Sequence, residues 1–102
     1  MDRTLIAHLV ENLLATATAE DVAVARSGVL AGLDLDLVER ELTASAEAIL
    51  GNETASAEDL AVAENLTSAV EMVRAEKASR IDSAAAAAAA RDSMRTRLAA
   101  EA

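Results

Sequence analysis

The stretch SGVLAGLDLD, residues 27–36, decides how the first half of this chain folds. It places two of the three glycines, Gly28 and Gly32, shortly before two aspartates, Asp34 and Asp36. Glycine readily adopts the left-handed conformation that closes the last turn of a helix, and aspartate is a preferred residue at a helix start. The stretch therefore predicts a turn between two helices, with the second helix beginning at Asp34 or Asp36.

Upstream of this turn, apolar residues recur at helical spacing, which predicts one long helix, helix 1, over residues 2–30. The residues expected on its apolar face are Ile6, Leu9, Leu13, Ala17 and Val24. Downstream, helix 2 is predicted over residues 35–50, and Asp36 followed by Glu39 has the spacing of a capping box. Its apolar seam is formed by Leu35, Val38, Leu42, Ser45 and Ile49. We expect this seam to lie in the core.

The last glycine, Gly51, is followed by a third helix start. Ser56 is a natural N-cap, and Asp59 stands three residues later, as in a capping box. No proline or glycine follows, so helix 3 is predicted over residues 57–100. The predicted fold class is all-α: one domain over residues 1–102, an antiparallel three-helix bundle or helical hairpin with a long C-terminal helix that projects beyond the body.

The predicted lengths indicate where the projection begins. At a rise of about 1.5 Å per residue, helices 1, 2 and 3 are roughly 42, 24 and 66 Å long. Helix 3 should then pass the Gly28–Gly32 turn near residue 74, leaving roughly 40 Å of helix outside the body. Charge changes at the same place. All five charged residues in 53–71 are acidic, whereas 74–97 contains six basic and three acidic residues.

The net charge of −9 and the lack of long apolar runs exclude several classes of partner. An acidic surface repels nucleic acid, and no stretch approaches the roughly 20 apolar residues that span a bilayer. Cysteine is absent and no signal peptide is recognisable at the N-terminus, which favours a cytoplasmic protein. We therefore expect neither nucleic acid nor membrane as a partner.

Candidate chemistry is sparse. His8 is the only imidazole, and with Glu11 it offers at most two ligands on one helix face, too few for a metal site. No nucleophile and base pair can be proposed, because cysteine, tyrosine and a second histidine are missing. The sequence predicts no enzyme activity, no catalytic residue, no metal and no cofactor.

Residues 84–90 are seven consecutive alanines, which favour a stiff helix. Their smooth surface either permits close approach of another helix or reflects compositional bias. If it is a binding surface, larger residues on either side supply anchors. The predicted partner-binding residues are Ile81, Ala84, Ala87, Ala88, Arg91, Met94 and Leu98.

Two stretches carry a family resemblance: LAGLDLDLVERELTASAEAIL, residues 30–50, and AENLTSAVEMVRAEKASR, residues 63–80. They resemble the turn with the second helix, and the start of the last helix, of bacterial flagellar export chaperones of the FlgN type. The chain departs from that family in its short second helix and its lack of aromatic residues. The resemblance implies a small cytoplasmic acidic protein whose C-terminal helix holds a helical tail of an exported subunit.

Two hypotheses from different classes follow. The chain is either a binding module that presents helix 3 to an amphipathic helix of a protein partner, or a structural protein that self-associates through its C-terminal helix.

Overall fold

The computed structural model describes residues 2–101, and side chains for residues 2–100. Within this range the chain forms four helices and no strand: α1 (Arg3–Ala15), α2 (Val22–Leu30), α3 (Leu35–Leu50) and α4 (Ala57–Glu101). The all-α prediction is confirmed, and α3 and α4 correspond to the predicted helices 2 and 3. The predicted domain of residues 1–102 also includes Met1 and Ala102, which lie outside the described residues.

The prediction of one continuous helix over residues 2–30 is wrong, because the chain leaves the α-helix after Ala15. Thr16 and Thr18 form a short 3-10 turn, and each donates its hydroxyl to a backbone carbonyl three residues earlier, at 2.6 and 3.1 Å. Such side-chain hydrogen bonds compete with the helical ladder. Asp21 then starts α2 as its N-cap, accepting from the Val24 amide at 3.1 Å.

The break also changes which residues face the core. Leu9 and Leu13 are buried and Ile6 is half-buried, as their spacing predicts. Ala17, in the 3-10 turn, and Val24, in α2, were predicted on the same face but are exposed. The 3-10 turn and the bend after it shift the helical phase between α1 and α2.

The other helix boundaries follow local capping chemistry. Asp34 is the N-cap of α3, and its carboxylate accepts from the amides of residues 36 and 37 at 3.1 and 3.3 Å. Of the two predicted starts, Asp34 is therefore correct, and Asp36 with Glu39 forms no capping box. Ser56 and Asp59 do form one, with reciprocal amide contacts of 3.1 and 3.3 Å. Gly32 has φ of +74°, the left-handed value expected for this turn.

Cross-helix contacts define the topology. Residues 26–30 of α2 meet residues 76–80 of α4, whereas the start of α1 lies beside residues 62–66. Hence α1 and α2 run in the same direction as α4. α3 runs the opposite way, because its residue 39 pairs with residue 74 and its end lies near residue 62. The body is a helical bundle in which α1, α2 and α3 each pack against the first half of α4.

The hydrophobic cluster at the centre of the body is entirely aliphatic, and none of its buried side chains is larger than leucine. Leu13, Leu30 and Leu42 are fully buried between the helices. The predicted α3 seam is confirmed at Leu35, Val38 and Leu42, and Ser45 and Ile49 are half-buried. The complete buried cluster consists of Leu9, Val10, Leu13, Leu30, Leu35, Val38, Leu42, Ala46, Leu66, Ala69, Val70 and Val73.

α4 is far longer than the body that it supports. Its 45 residues correspond to about 68 Å of helix, close to the 71 Å longest dimension of the molecule. The last hydrogen bond between α4 and the body is made by Arg80, which donates to the Leu30 carbonyl at 3.1 Å, and the side chains that follow are almost all exposed. The projection is thus confirmed, but it begins after residue 80 rather than near 74, and residues 81–101 extend about 31 Å.

Candidate functional site

A buried carboxylate holds α4 to the body just before the projection begins. The side chain of Glu76 is only 3% exposed. It accepts from the Ser27 hydroxyl at 2.8 and 3.0 Å, from Arg26 Nε at 3.3 Å and from Arg80 Nε at 3.2 Å. Burial raises the pKa of Glu76, but the bonds from Ser27, Arg26 and Arg80 outweigh it and lower the pKa below its ordinary value. We call these four residues the collar.

A second ionic cluster joins the start of α3 to α4 on another side. Lys77 lies 2.7 Å from carboxylates of both Asp36 and Glu39, and Arg74 lies 2.7 Å from Glu39. Hydrogen bonds from Arg74 and then Lys77 lower the pKa of Glu39, and those to Asp36 and Glu39 raise the pKa of Lys77. Together with the collar, this cluster fixes the direction in which α4 leaves the body.

Beyond the collar, the predicted partner-binding residues lie on one uncovered helix. From Ile81 to Ala100 every side chain is exposed except that of Ala88, which is half-buried. Ile81 and Leu98 are 69% and 68% exposed, and Met94 is 49% exposed. These are large apolar surfaces for a helix that contacts nothing else among the described residues.

The exposed face is a continuation of the core-facing side of α4. At about 100° per residue, positions spaced alternately by three and four residues stay on one side of a helix. Ala63, Leu66, Val70 and Val73 have this spacing and are buried. The same spacing continues through Lys77 and Arg80 to the outer residues, which are Ala84, Ala87, Arg91, Met94 and Leu98. We call the outer residues, with Ile81 and Ala88 at their edge, the docking face.

The body carries the whole net charge of the protein. Residues 1–80 contain fifteen acidic and six basic residues, whereas residues 81–102 contain three of each. Within residues 91–98 three arginines stand against one aspartate. The outer part of the projection is therefore locally basic, and the body is strongly acidic.

An apolar groove lies at the opposite end of the body, and sequence reasoning missed it. α1 and α3 both pack on α4, but the two helices diverge from each other near the beginning of α4 and leave between them a groove of about 690 Å³. Its walls are apolar, formed by Ile6, Val10 and Leu14 on one side and Ala48 and Ile49 on the other, with α4 as the floor. Val62, which is half exposed, lies in this floor. We call it the α1–α3 groove.

The potential metal-ligating side chains do not cluster in the described part of the chain. His8 is exposed on α1, on the side away from the buried Leu9 and Val10. Among residues 2–101 no three potential ligands of the histidine, cysteine, aspartate or glutamate type gather in a way that would hold a metal ion. Over the same residues, no helix combines the length and the apolar character needed to cross a membrane.

Comparison of the chain with known protein families, with curated proteins and with solved structures finds no match. The class that the fold defines is a small helical body with a projecting C-terminal helix.

Proposed function

We propose that this chain is a protein-interaction module whose binding element is the projecting helix, residues 81–101. One observation carries the proposal: 21 residues of regular helix lie outside the core, yet they keep the spacing and the apolar character of a core-facing helix side. A helix of this kind is the usual partner in helix-in-groove recognition, where a few apolar anchors supply most of the affinity.

The alanine run makes this helix stiff without covering it. Alanine has the highest helix propensity, so residues 84–90 stay helical while presenting little side chain. A partner helix can therefore approach closely between the anchors Ile81 and Met94. The collar supports the same role, because it holds the base of the projecting helix at a fixed angle to the body.

A pair of matched variants tests this function. Ala87→Glu places a charged side chain on the docking face, and Ala89→Glu places the same side chain on the opposite side of the same helix. Glutamate is a good helix former, so both variants keep their helicity. With each protein as bait in its native host, we expect Ala87→Glu to lose the proteins that wild type and Ala89→Glu retain.

Equal capture by all three baits contradicts the proposed function, provided that their thermal unfolding is the same. Loss of capture by both variants also contradicts it, because binding would then not depend on the docking face.

The resemblance to flagellar export chaperones supports a narrower version of this proposal. It rests on residues 30–50 and 63–80 alone, and it would place the protein in the cytoplasm with a helical tail of an exported subunit as its partner. Mass spectrometry of the captured proteins tests it. An exported or flagellar subunit among the proteins lost with Ala87→Glu is the expected result, and its absence counts against a chaperone.

Self-association is the second candidate function, and the α1–α3 groove favours it. The molecule carries both an uncovered helix and an uncovered groove, which is the pair of surfaces that two copies need to bind each other.

A further inference from the structure

The α1–α3 groove is bounded by three helices and is open on its fourth side. α1, α3 and the beginning of α4 surround it on three sides, and its apolar lining includes half-buried Ile6, Leu14 and Ile49. We propose that the projecting helix of a second copy of this chain fills this groove, and that the groove of the second copy is filled in return. The inference rests on the proposed function, since it names the partner of the docking face.

The lengths of the two parts of α4 match. The part inside the body, residues 57–80, spans about 36 Å, and the projecting part, residues 81–101, spans about 31 Å. Two α4 helices that run antiparallel, with residue 79 of each at the midpoint, place residues 81–101 of one copy beside residues 57–77 of the other. The groove lies within that range, because its floor is formed by residues 62–66.

This arrangement closes on itself. In an antiparallel pair related by a two-fold axis, both projecting helices meet the partner's body at once, and neither groove remains open. The result is a four-helix bundle along its whole length, built from both α4 helices and, in each half, one copy's shorter helices. Two bodies of about 36 Å laid end to end give about 72 Å, against the 71 Å length of one copy.

The residue sizes along the docking face fit the same alignment. Met94 of one copy falls at the level of residue 64 of the other, and Leu98 falls at the level of Leu60. Met94 therefore lies over the groove floor, and Leu98 lies at its outer end, just past Val62, which is 50% exposed. The alanines 84–90 fall at the level of residues 68–74, where the body is closed over a tight core. Large side chains meet the groove, and small ones pass over the closed part.

Charge complementarity points to a second copy rather than to an unrelated acidic partner. The three arginines in residues 91–98 fall at the level of residues 60–67 of the other copy. Residues 53–71 there contain five acidic residues and no basic one. Glu11 is the acidic residue of the groove lining, and Arg3 at its outer end is the basic one. Of the five acidic residues in 53–71, Glu58 and Asp59 lie on the groove side of α4, within about 60° of Val62 at a rotation of about 100° per residue. The basic end of the projection therefore meets the acidic start of α4.

A single spin label distinguishes the possible assemblies. The chain has no cysteine, so Ser93→Cys in the full-length protein introduces one labelling site, on the helix side away from the docking face. Light scattering measures the mass, and pulsed electron paramagnetic resonance measures the distance between the two labels. The proposed alignment separates the two sites by about 42 Å along the bundle, which predicts a label distance of about 45 Å.

Pairing of the two projecting helices with each other gives a different distance. Centred on the alanine run, such a pair separates the two sites by only about 18 Å along the axis, for a label distance below about 30 Å. A dimer with that short distance overturns the groove inference. A monomer at hundreds of micromolar overturns it as well. Neither result bears on the proposed function, which fails only if the Ala87→Glu and Ala89→Glu baits behave alike.

Two further variants test the groove without altering the projecting helix. Val62→Glu places a charge in the groove, whereas Ala61→Glu places it at an exposed position about 100° around the helix that does not line the groove. Both positions are exposed in one copy, so both variants are expected to fold. We expect dimerisation to weaken by at least about 30-fold for Val62→Glu, the loss typical of a central interface residue, and to stay within a few-fold for Ala61→Glu. Equal dimerisation of the two variants contradicts the inference.

Discussion

Replacing Glu76 by glutamine tests how the projecting helix is attached to the body. The substitution keeps the shape of the side chain and removes its charge, so Arg26 and Arg80 lose the carboxylate that pairs with them. Hydrogen bonds to a charged group contribute about 1.5–3 kcal/mol, against about 0.5–1.5 kcal/mol for neutral ones. Arg26 is 15% exposed and accounts for most of the loss, whereas the contact with Arg80, 44% exposed, is weakened by solvent.

We expect Glu76→Gln to lower the free energy of unfolding by about 2 kcal/mol at pH 7. In a domain of this size, that corresponds to a fall of about 10 °C in the melting temperature followed by circular dichroism. Glu71→Gln is the matched control, since it removes an exposed carboxylate from the same helix and should change stability by less than about 0.5 kcal/mol. Equal melting of the two variants would refute the structural role assigned to the collar.

Four other predictions concern stability. Leu42→Asp places a charge at a fully buried position and should lower the free energy of unfolding by several kcal/mol, seen as a much lower melting temperature. His8 is exposed, so His8→Ala should melt like wild type. Gly32→Ala forces alanine into a left-handed conformation and should cost about 1 kcal/mol. Gly28→Ala, in a helix with free space around it, should instead gain about 0.5 kcal/mol in denaturant titrations. Folding lowers the pKa of Glu76, so the stability that its charge contributes is fully present at pH values above the ordinary pKa of 4.5 and is lost as the pH falls below 4.5. The difference in melting temperature between wild type and Glu76→Gln should therefore shrink as the pH is lowered through this range.

Local chemistry explains which parts of the fold could be predicted from the sequence. Gly32, Asp34 and the pair of Ser56 and Asp59 act on backbone groups within a few residues of themselves, so the turn and the helix starts follow directly. The break after Ala15 follows from local chemistry as well. Its signal was present in the two threonines of residues 16–18 and in Asp21, but regular apolar spacing on both sides favoured a continuous helix.

The collar and the groove depend on how the helices sit against each other, and spacing along one helix does not determine that. Glu76 lies among Arg74, Lys77 and Arg80, a pattern typical of exposed ion pairs along a helix. Its position three residues after buried Val73 was the available sign that it faces the body. The groove opens because α1 and α3 part over α4, which no residue pattern in either helix indicates.

The docking face could be predicted from the sequence only in part. Its residues, and the projection that exposes them, follow from helix lengths and from the uninterrupted helix-forming sequence after Gly51. Their role in binding stays a prediction, as does the identity of the partner.

The central claim is that residues 81–101 stand outside the intramolecular core. Circular dichroism melting of residues 1–80, beside the full chain at a concentration where the full chain is monomeric, tests it most directly. Since the last hydrogen bond to the body is made by Arg80 and the side chains after it are almost all exposed, we predict that the shortened protein keeps a cooperative transition within a few degrees of the full chain. A shortened protein that is unfolded at room temperature would contradict the claim, because the C-terminal helix would then be part of the core.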